Sequence, residues 1–308
     1  MHHESILPTL ILLWCSFMSR TNSYDSTKAQ LRRVKAWFRL NRPRTGSNSG
    51  SNPFDSVLLE SFLLGLKKTN GGKPKRKRPI TPEMLLAFCS VAEARATAEA
   101  YILLFAILIG FFCFLRKSNL TVETESLVDT TKMIRRADIR VDYSQYVLWV
   151  RIRRTKTIQS GDRELWIPIP GQPGHPLDII ALHTKVIAFY AHLPNEAHIF
   201  SGKWVKDSIG PLTYRTFLEG LKSMVASIGL DPTNVAGHSL RRGGASYAFH
   251  CGVPSEVIRA HGDWQSDCYL MYCVIPPSSL LAATRQMFEG IYAGRLGGEI
   301  WSASHLAK

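Results

Sequence analysis

A histidine and an arginine in the last third of the chain have the spacing needed to hold one anion between them. His238 and Arg241 lie three residues apart in the segment GHSLRRGG, and two helical side chains at that spacing lie on one face. Imidazole and guanidinium groups both donate hydrogen bonds to phosphate oxygens. Because many solvent-facing helices carry such a pair without binding anything, the spacing by itself does not identify a site.

Four other residues would complete a site that cuts a phosphodiester bond without a metal. This reaction needs a nucleophile, cations that stabilise the charge of the transition state, and an acid that protonates the leaving oxygen. Residues that suit these tasks stand in the segments CFLRKSNL, RRTKTIQ and HGDWQSDCYLMYC: Arg116, Lys156, Trp264 and Tyr272. Tyr269 is a rival nucleophile, since it lies three residues before Tyr272 on the same helical face. Taken singly, Arg116 is equally explained as a cation at a helix end, Lys156 as one charge of a basic hairpin, and Trp264 as a core residue.

In their order and spacing, these six residues resemble the catalytic residues of the tyrosine recombinases, or phage-integrase family. The resemblance covers residues 55–290 and includes the segment KRPITPEML at the start of the catalytic domain. The segment GDWQSD, which precedes the tyrosine, is similar to that of eukaryotic mobile elements. The resemblance implies an enzyme of DNA recombination or integration that belongs to a transposable element.

The resemblance also implies a role for each residue. Tyr272 would attack the phosphorus and hold the strand as a 3′-phosphotyrosine, and Lys156 would protonate the leaving 5′-oxygen. His238 would hydrogen-bond the phosphate or assist proton transfer from the tyrosine, while Trp264 would donate its indole N–H and buttress the tyrosine. The two arginines would clamp the nonbridging oxygens, since planar guanidinium groups match phosphate geometry. The bond energy is kept in the phosphotyrosine, so rejoining needs no ATP, metal or other cofactor.

The partner implied by the resemblance is double-stranded DNA, bound by a homotetramer in the nucleus, with no membrane and no small-molecule substrate. Residues 279–291 are predicted to form a helix with an apolar face, which either docks on a neighbouring protomer or packs inside its own domain. Asn119 is a departure from the family pattern, because many relatives carry an acidic residue there that supports the active site.

Positive charge is concentrated in one part of the chain. The 308 residues hold 38 Lys or Arg and 24 Asp or Glu. Residues 31–80 carry 13 of these basic residues and 2 acidic ones, whereas residues 81–308 carry 23 and 20. A basic arm of this kind suits a polyanion, either nucleic acid or an anionic membrane surface. Charge alone does not choose between the two, but the resemblance implies DNA. The basic residues of the linker and the hairpin are then predicted to contact it: Lys73, Lys75, Arg76, Lys77, Arg78, Arg153 and Arg154.

Cysteine spacing and hydropathy argue against zinc ribbons, disulfide frameworks and membrane spans. None of the six cysteines forms a CxxC pair. The apolar run at residues 101–115 is shorter than the ~20 residues that a membrane helix needs. The run at residues 6–18 follows a segment without Lys or Arg, which is unlike a signal peptide.

Periodicity predicts a mainly α fold with a small antiparallel β-sheet, of class α+β. The resemblance implies that a partial helical DNA-clamping domain precedes the tyrosine-recombinase catalytic domain. Predicted helices cover residues 27–40, 55–66, 82–92, 96–114, 176–191 and 211–229, with more helix from 239 onward. Predicted strands cover residues 134–141, 146–153 and 165–168. The corresponding domains are a possibly non-native start at 1–26, the partial clamp and linker at 27–78, the catalytic domain at 79–292 and a tail at 293–308.

Four hypotheses about function remain open, and the last of them is a protein that binds a membrane surface. The first is a recombinase or integrase that uses Tyr272. The second is a catalytically inactive DNA-binding protein, domesticated or truncated, since only two clamp helices are predicted and the apolar opening is typical of a damaged gene start. The third is a type IB topoisomerase, which uses the same chemistry.

Overall fold

The chain forms two compact units in the computed structural model, Met1–Arg76 and Lys77–Lys308. The structure describes residues 6–41, 52–70, 77–125, 128–155, 158, 163–205, 207–266, 270 and 277–293. The predicted tasks of the domains, DNA clamping and catalysis, stay predictions at this point.

The described residues of the first unit form three helices: α1 (Ile6–Ser19), α2 (Tyr24–Asn41) and α3 (Val57–Asn70). They bury a shared apolar cluster of Ile11, Cys15, Leu31, Phe54 and Leu59. The two predicted helices of this region are confirmed. Helix α2 is longer than predicted at both ends, whereas α3 begins two residues later than predicted and ends four residues later. Periodicity did not predict α1, because this helix is apolar around most of its circumference.

The second unit is mainly helical with two small antiparallel sheets. Its helices are α4 (Pro82–Arg95), α5 (Ala98–Phe112), α6 (Lys117–Leu120), α7 (Ile179–Phe189), α8 (Tyr214–Ser227), α9 (His238–His250), α10 (Ser255–His261) and α11 (Pro277–Tyr292). Its strands are β1 (Ile139–Asp142), β2 (Val147–Ile152), β3 (Leu165–Pro170), β4 (Gly202–Val205) and β5 (Ser208–Gly210). The predicted fold class, mainly α with a small antiparallel sheet, is confirmed.

Helix α5 is the centre of the core in the second unit. Every residue from Ile102 to Phe111 is buried, so the apolar run is an internal helix. Thr97 caps its start by accepting a hydrogen bond from the Ala100 N–H at 3.2 Å. In the described parts of the chain, no helix combines the length and the apolar character needed to cross a bilayer.

The three-stranded sheet has the order β1-β2-β3, with Val150 of β2 paired to Ile139 and Ile167 of its neighbours. Alternate residues of β2 are buried, which gives the sheet one core face and one outer face. The hairpin of β4 and β5 was not predicted, because strands this short carry almost no periodic signal. The helix predicted from residue 239 onward is interrupted after α9, where Gly252 has a φ of 77° and Pro254 follows.

Candidate active site

Two adjacent glycines bring the helix that carries His238 and Arg241 into backbone contact with its neighbours. A Cβ atom on Gly243 would lie 2.0 Å from the Ile80 carbonyl oxygen, and one on Gly244 would lie 2.1 Å from the Phe111 carbonyl oxygen. These distances are too short for any side chain, so α9 packs more closely than another residue would permit. The sequence RRGG thereby sets the position of the histidine and the arginine one turn earlier.

Arg241 connects the three segments that carry the described site residues. Its side chain is buried, with 2% of the residue exposed. The guanidinium donates hydrogen bonds to the Phe114 carbonyl and, at 2.7 Å, to the Gly262 carbonyl. It also lies over the Trp264 ring, with 3.7 Å between Cζ and the ring centroid. One cation therefore holds the end of α5, the start of α9 and the turn after α10 together.

Both turns that offer carbonyls to Arg241 contain a non-glycine residue in the left-handed region. Phe114 has a φ of 48° and Asp263 a φ of 51°. Such conformations cost roughly 1–3 kcal/mol in residues with a side chain. The surrounding contacts must supply this energy, which is a common property of functional sites.

Arg116 and Lys117 add positive charge beside His238. Arg116 is half-buried and comes directly before α6. Lys117 lies over the Tyr214 ring, with 4.1 Å between Nζ and the centroid, and that ring packs against the backbone of Gly237. Sequence reasoning missed Lys117, although its place next to Arg116 was a usable signal.

The electrostatic surroundings keep His238 neutral. Partial loss of its water shell lowers the pKa of the imidazole, and the charges of Arg241, Lys117 and Arg116 lower it further. The pKa is therefore below the ordinary value of 6.5, and at neutral pH the imidazole can accept a proton. The ring is exposed at the start of α9, where a substrate can reach it.

The structure brings together four of the six predicted catalytic residues: Arg116, His238, Arg241 and Trp264. Trp264 is 6% exposed, and its ring packs on Gly262 and Phe114. The general acid and the nucleophile predicted from the sequence, Lys156 and Tyr272, lie outside the described residues, as does Tyr269.

The predicted DNA-binding residues fall into three groups. Lys73, Lys75 and Arg76 lie outside the described residues. Lys77 and Arg78 are exposed, and the Lys77 ammonium donates to the Thr233 carbonyl at 2.6 Å.

In the hairpin, Arg153 donates to the buried Asp138 carboxylate at 3.0 Å and to the carbonyls of Thr130 and Met133. Arg154 donates to the Thr131 hydroxyl at 3.1 Å. Arg153 thus has a structural task that its place in a basic segment did not indicate, and contact of either arginine with DNA stays a prediction.

Asn119, the departure from the family pattern, is buried and makes a hydrogen bond to the hairpin. Its side-chain amide donates to the Arg154 carbonyl at 2.8 Å, two residues before Lys156. An ionised carboxylate could not donate this bond. The amide therefore fits the local backbone, and it holds the end of β2 beside α6.

Sequence reasoning also missed a buried carboxylate, Asp263, which accepts hydrogen bonds from Thr155 and Arg163. Since the partners are far apart in the sequence, no local pattern could pair them. Within the described residues, no group of three or more His, Cys, Asp or Glu could hold a metal ion.

Solved structures of DNA recombinases resemble this chain, whereas no protein-family model and no curated protein matches it. The integrase of transposon Tn1549 in complex with circular intermediate DNA is 17% identical, covers 90% of this chain and 84% of its own, and has a TM-score of 0.54. The same integrase with transposon right end DNA is 18% identical, with coverages of 91% and 84% and a TM-score of 0.55. The XerH site-specific recombinase bound to palindromic difH substrate is 12% identical, with coverages of 86% and 68% and a TM-score of 0.60. The chain therefore has the fold of the tyrosine recombinases.

Proposed function

We propose that this chain is a tyrosine recombinase that cuts and rejoins DNA strands through a 3′-phosphotyrosine on Tyr272. The observation that carries the proposal is the Arg241 guanidinium, which joins the segments of Arg116, His238 and Trp264 into one site. The similarity to an integrase and a recombinase that were solved with DNA supports the same function.

The proposed cleavage is a transesterification in which atoms and charge balance. The Tyr272 oxygen attacks the phosphorus, the bond from phosphorus to the 5′-oxygen breaks, and Lys156 gives that oxygen a proton. The proton of the tyrosine passes to the neutral imidazole of His238, whose lowered pKa supports this role. Rejoining by a 5′-hydroxyl reverses each step, so the number of phosphodiester bonds is conserved.

The two arginines have different places in this mechanism. Arg116, half-buried beside His238, binds a nonbridging oxygen directly. Arg241 is 2% exposed, so its charge acts from beneath the phosphate, and a direct bond to a second oxygen requires DNA binding to open access to it. Trp264 covers one face of Arg241 and keeps water from it.

The assembly that we propose is a homotetramer on double-stranded DNA, in which α11 docks on a neighbouring protomer. The predicted helix is confirmed, and its apolar residues Leu281, Met287, Phe288 and Ile291 are 52–68% exposed. Proteins commonly dock by placing the apolar face of a helix in a hydrophobic groove of the partner. We expect the chain that lacks residues 277–308 to be a monomer in the absence of DNA and to form no tetramer on DNA. Sedimentation measures both states. Unchanged assembly of the truncated chain would remove the proposal.

The source that we propose is a eukaryotic mobile element, on the strength of the segment GDWQSD, and the location is the nucleus. The basic linker that follows α3, residues 71–78, supports nuclear import as well as DNA contact. Fusion of this linker to a fluorescent protein, followed by microscopy, tests the location.

The function is tested by trapping the covalent intermediate on nicked DNA. Duplexes with a randomised centre and a nick just 3′ of it are incubated with the chain, because the short 5′-hydroxyl fragment then diffuses away and cleavage becomes irreversible. We expect the wild type and Tyr269→Phe to yield covalent 3′-linked adducts whose recovered DNA shares a sequence. Tyr272→Phe should yield none while it still binds DNA.

Two other results would favour the competing hypotheses. DNA binding by the wild type without any adduct indicates an inactive DNA-binding protein. Relaxation of supercoiled plasmid by a monomer, without strand exchange, indicates a type IB topoisomerase.

A further inference from the structure

Asp263 is a buried carboxylate that binds both ends of the connection between β2 and β3. The residue is 4% exposed. Its Oδ1 accepts a hydrogen bond from Arg163 Nη2 at 2.5 Å, and its Oδ2 accepts one from the Thr155 hydroxyl. Thr155 stands immediately before Lys156 in the chain, and Arg163 stands at the other end of the same connection, so one side chain fixes both.

Thr155 also makes two hydrogen bonds to Ile158. Its hydroxyl oxygen accepts a hydrogen bond from the Ile158 N–H at 3.0 Å, and its own N–H donates to the Ile158 carbonyl at 3.1 Å. The Ile158 side chain is completely buried. These bonds fix the chain at Thr155, the residue that directly precedes the predicted general acid in the sequence.

The same carboxylate belongs to the turn that offers its carbonyl to Arg241. Gly262, which accepts from Arg241, comes immediately before Asp263, and Trp264, which stacks on Arg241, follows it. The Asp263 N–H donates to the Ala260 carbonyl at 3.1 Å, which fixes the turn against α10. Asp263 thus joins the hairpin connection to the phosphate site through a single residue.

A carboxylate suits this task better than an amide. It accepts from both partners at once, and the bond from the Arg163 guanidinium is charge-assisted on each side. Arg163 keeps half of its side chain in water, so its charge remains solvated while Asp263 is covered. The pair therefore pins the connection without burying two charges.

We propose that Asp263 is a positioning residue that acts through Thr155 and Arg163 to place Lys156 at the leaving 5′-oxygen. This inference rests on the proposed function, in which Lys156 is the general acid. It predicts that loss of the carboxylate slows the step that needs the acid and leaves the other steps intact.

The test compares two leaving groups on the nicked duplex recovered by the trapping selection. In one duplex the bridging 5′-atom is oxygen, and in the other it is sulfur, which leaves as a thiolate without being protonated. We expect Asp263→Asn to lower the cleavage rate of the oxygen duplex by about 10²-fold, the lower end of what a general acid contributes. The cleavage rate of the sulfur duplex should change by less than about threefold, and Lys156→Ala should show the same contrast.

Matched variants separate positioning from general damage. Thr155→Ser keeps the hydroxyl and should retain the wild-type rate, whereas Thr155→Val should behave like Asp263→Asn. Glu219→Gln, which removes a carboxylate from an exposed ion pair on α8, should change neither rate. Equal slowing of both duplexes by Asp263→Asn, or no slowing of either, would overturn the proposal.

If the wild type cuts no DNA, the proposed function is refuted, but the role of Asp263 in holding the connection can still be tested by a second measurement. Trypsin cleaves after lysine, so mass spectrometry of brief digests of the whole chain reports how often the chain opens at Lys156. We expect Asp263→Asn to speed cleavage at that bond by about tenfold, because local cleavage follows the population of the opened segment. Unchanged cleavage there would show that Asp263 does not hold the connection.

Discussion

At the scale of single residues, the spacing of polar side chains predicted part of the site, and contacts between distant segments decided the rest. The pair His238 and Arg241 could be found from the sequence because it occupies one helical turn. The bond from Arg241 to the Phe114 carbonyl could not, since it joins residues 127 positions apart. Asp263 was missed for the same physical reason: its partners come from a connection that no local pattern links to it.

Two buried histidines make the second unit sensitive to acid. Burial lowers the pKa of His198 to about 3, and burial together with the charge of Arg136 lowers that of His183 to about 4. At a pH below 6.5, the ordinary pKa of histidine, these two residues bind protons in the unfolded chain but not in the folded chain. The free energy of unfolding should therefore fall as the pH drops from about 6.5 toward 4, by up to about 1.4 kcal/mol per pH unit for each histidine.

Urea unfolding at a series of pH values measures this dependence. His183→Phe keeps a ring in contact with Phe105. It should lower the slope of the free energy of unfolding against pH by the contribution of one proton, up to about 1.4 kcal/mol per pH unit. The exposed His192→Gln serves as the control and should leave the slope unchanged. A His183→Phe slope equal to that of the wild type would contradict the assignment.

At the scale of elements, the periodicity of apolar residues predicted the long helices and the sheet. The exact ends of these elements depend on capping hydrogen bonds and on contacts with neighbouring segments. Thr81 and Pro82 begin α4 as predicted, with the Met84 N–H bonded to the threonine hydroxyl oxygen at 3.4 Å. The end of α9 was missed although Gly252 and Pro254 are visible in the sequence, because the helical pattern before them is the stronger signal. The two glycines of the RRGG segment lie inside α9, where they make close backbone contacts.

The close packing of α9 can be tested with two glycine substitutions that differ in surroundings. Gly244→Ala places a methyl group against the Phe111 carbonyl and should destabilise the second unit by about 1–3 kcal/mol, with a matching loss of covalent adducts. Gly65→Ala on α3 places the methyl group in open space and should stabilise its helix by up to about 1 kcal/mol. Urea unfolding followed by tryptophan fluorescence and hydrogen exchange distinguishes the two units. A neutral Gly244→Ala would show that α9 can move without cost.

At the scale of the whole molecule, charge and fold separate along the chain. The basic excess lies in residues 31–80, whereas residues 81–308 carry 23 basic residues against 20 acidic ones. Composition predicted a polyanionic partner, and the proposed function identifies that partner as DNA. Neither observation indicates which DNA sequence is bound, because contacts to phosphates do not distinguish the bases.

The basic linker should contribute affinity without specificity. Replacing Lys73, Lys75, Arg76 and Arg78 by glutamine should weaken binding to all duplexes alike and lower the salt dependence of log K by about 0.9 for each phosphate that the linker no longer neutralises. Lys77 is left in place because it is bonded to the Thr233 carbonyl. Fluorescence anisotropy at several salt concentrations measures both quantities, with Arg215→Gln on α8 as the control. A variant with an unchanged salt slope would exclude the linker from the DNA interface.

The bonds of Arg241 also bear on the order in which a ribosome makes the chain. Phe114 and Arg241 are synthesised before Gly262 and Trp264, so the guanidinium meets its last two partners only when the turn after α10 has emerged. Until then Arg241 can bond only to the Phe114 carbonyl, and the turn that carries Trp264 is missing from the site. Under the proposed function, a chain still being translated should therefore not cut DNA, and strand cleavage should begin only when the catalytic unit is complete.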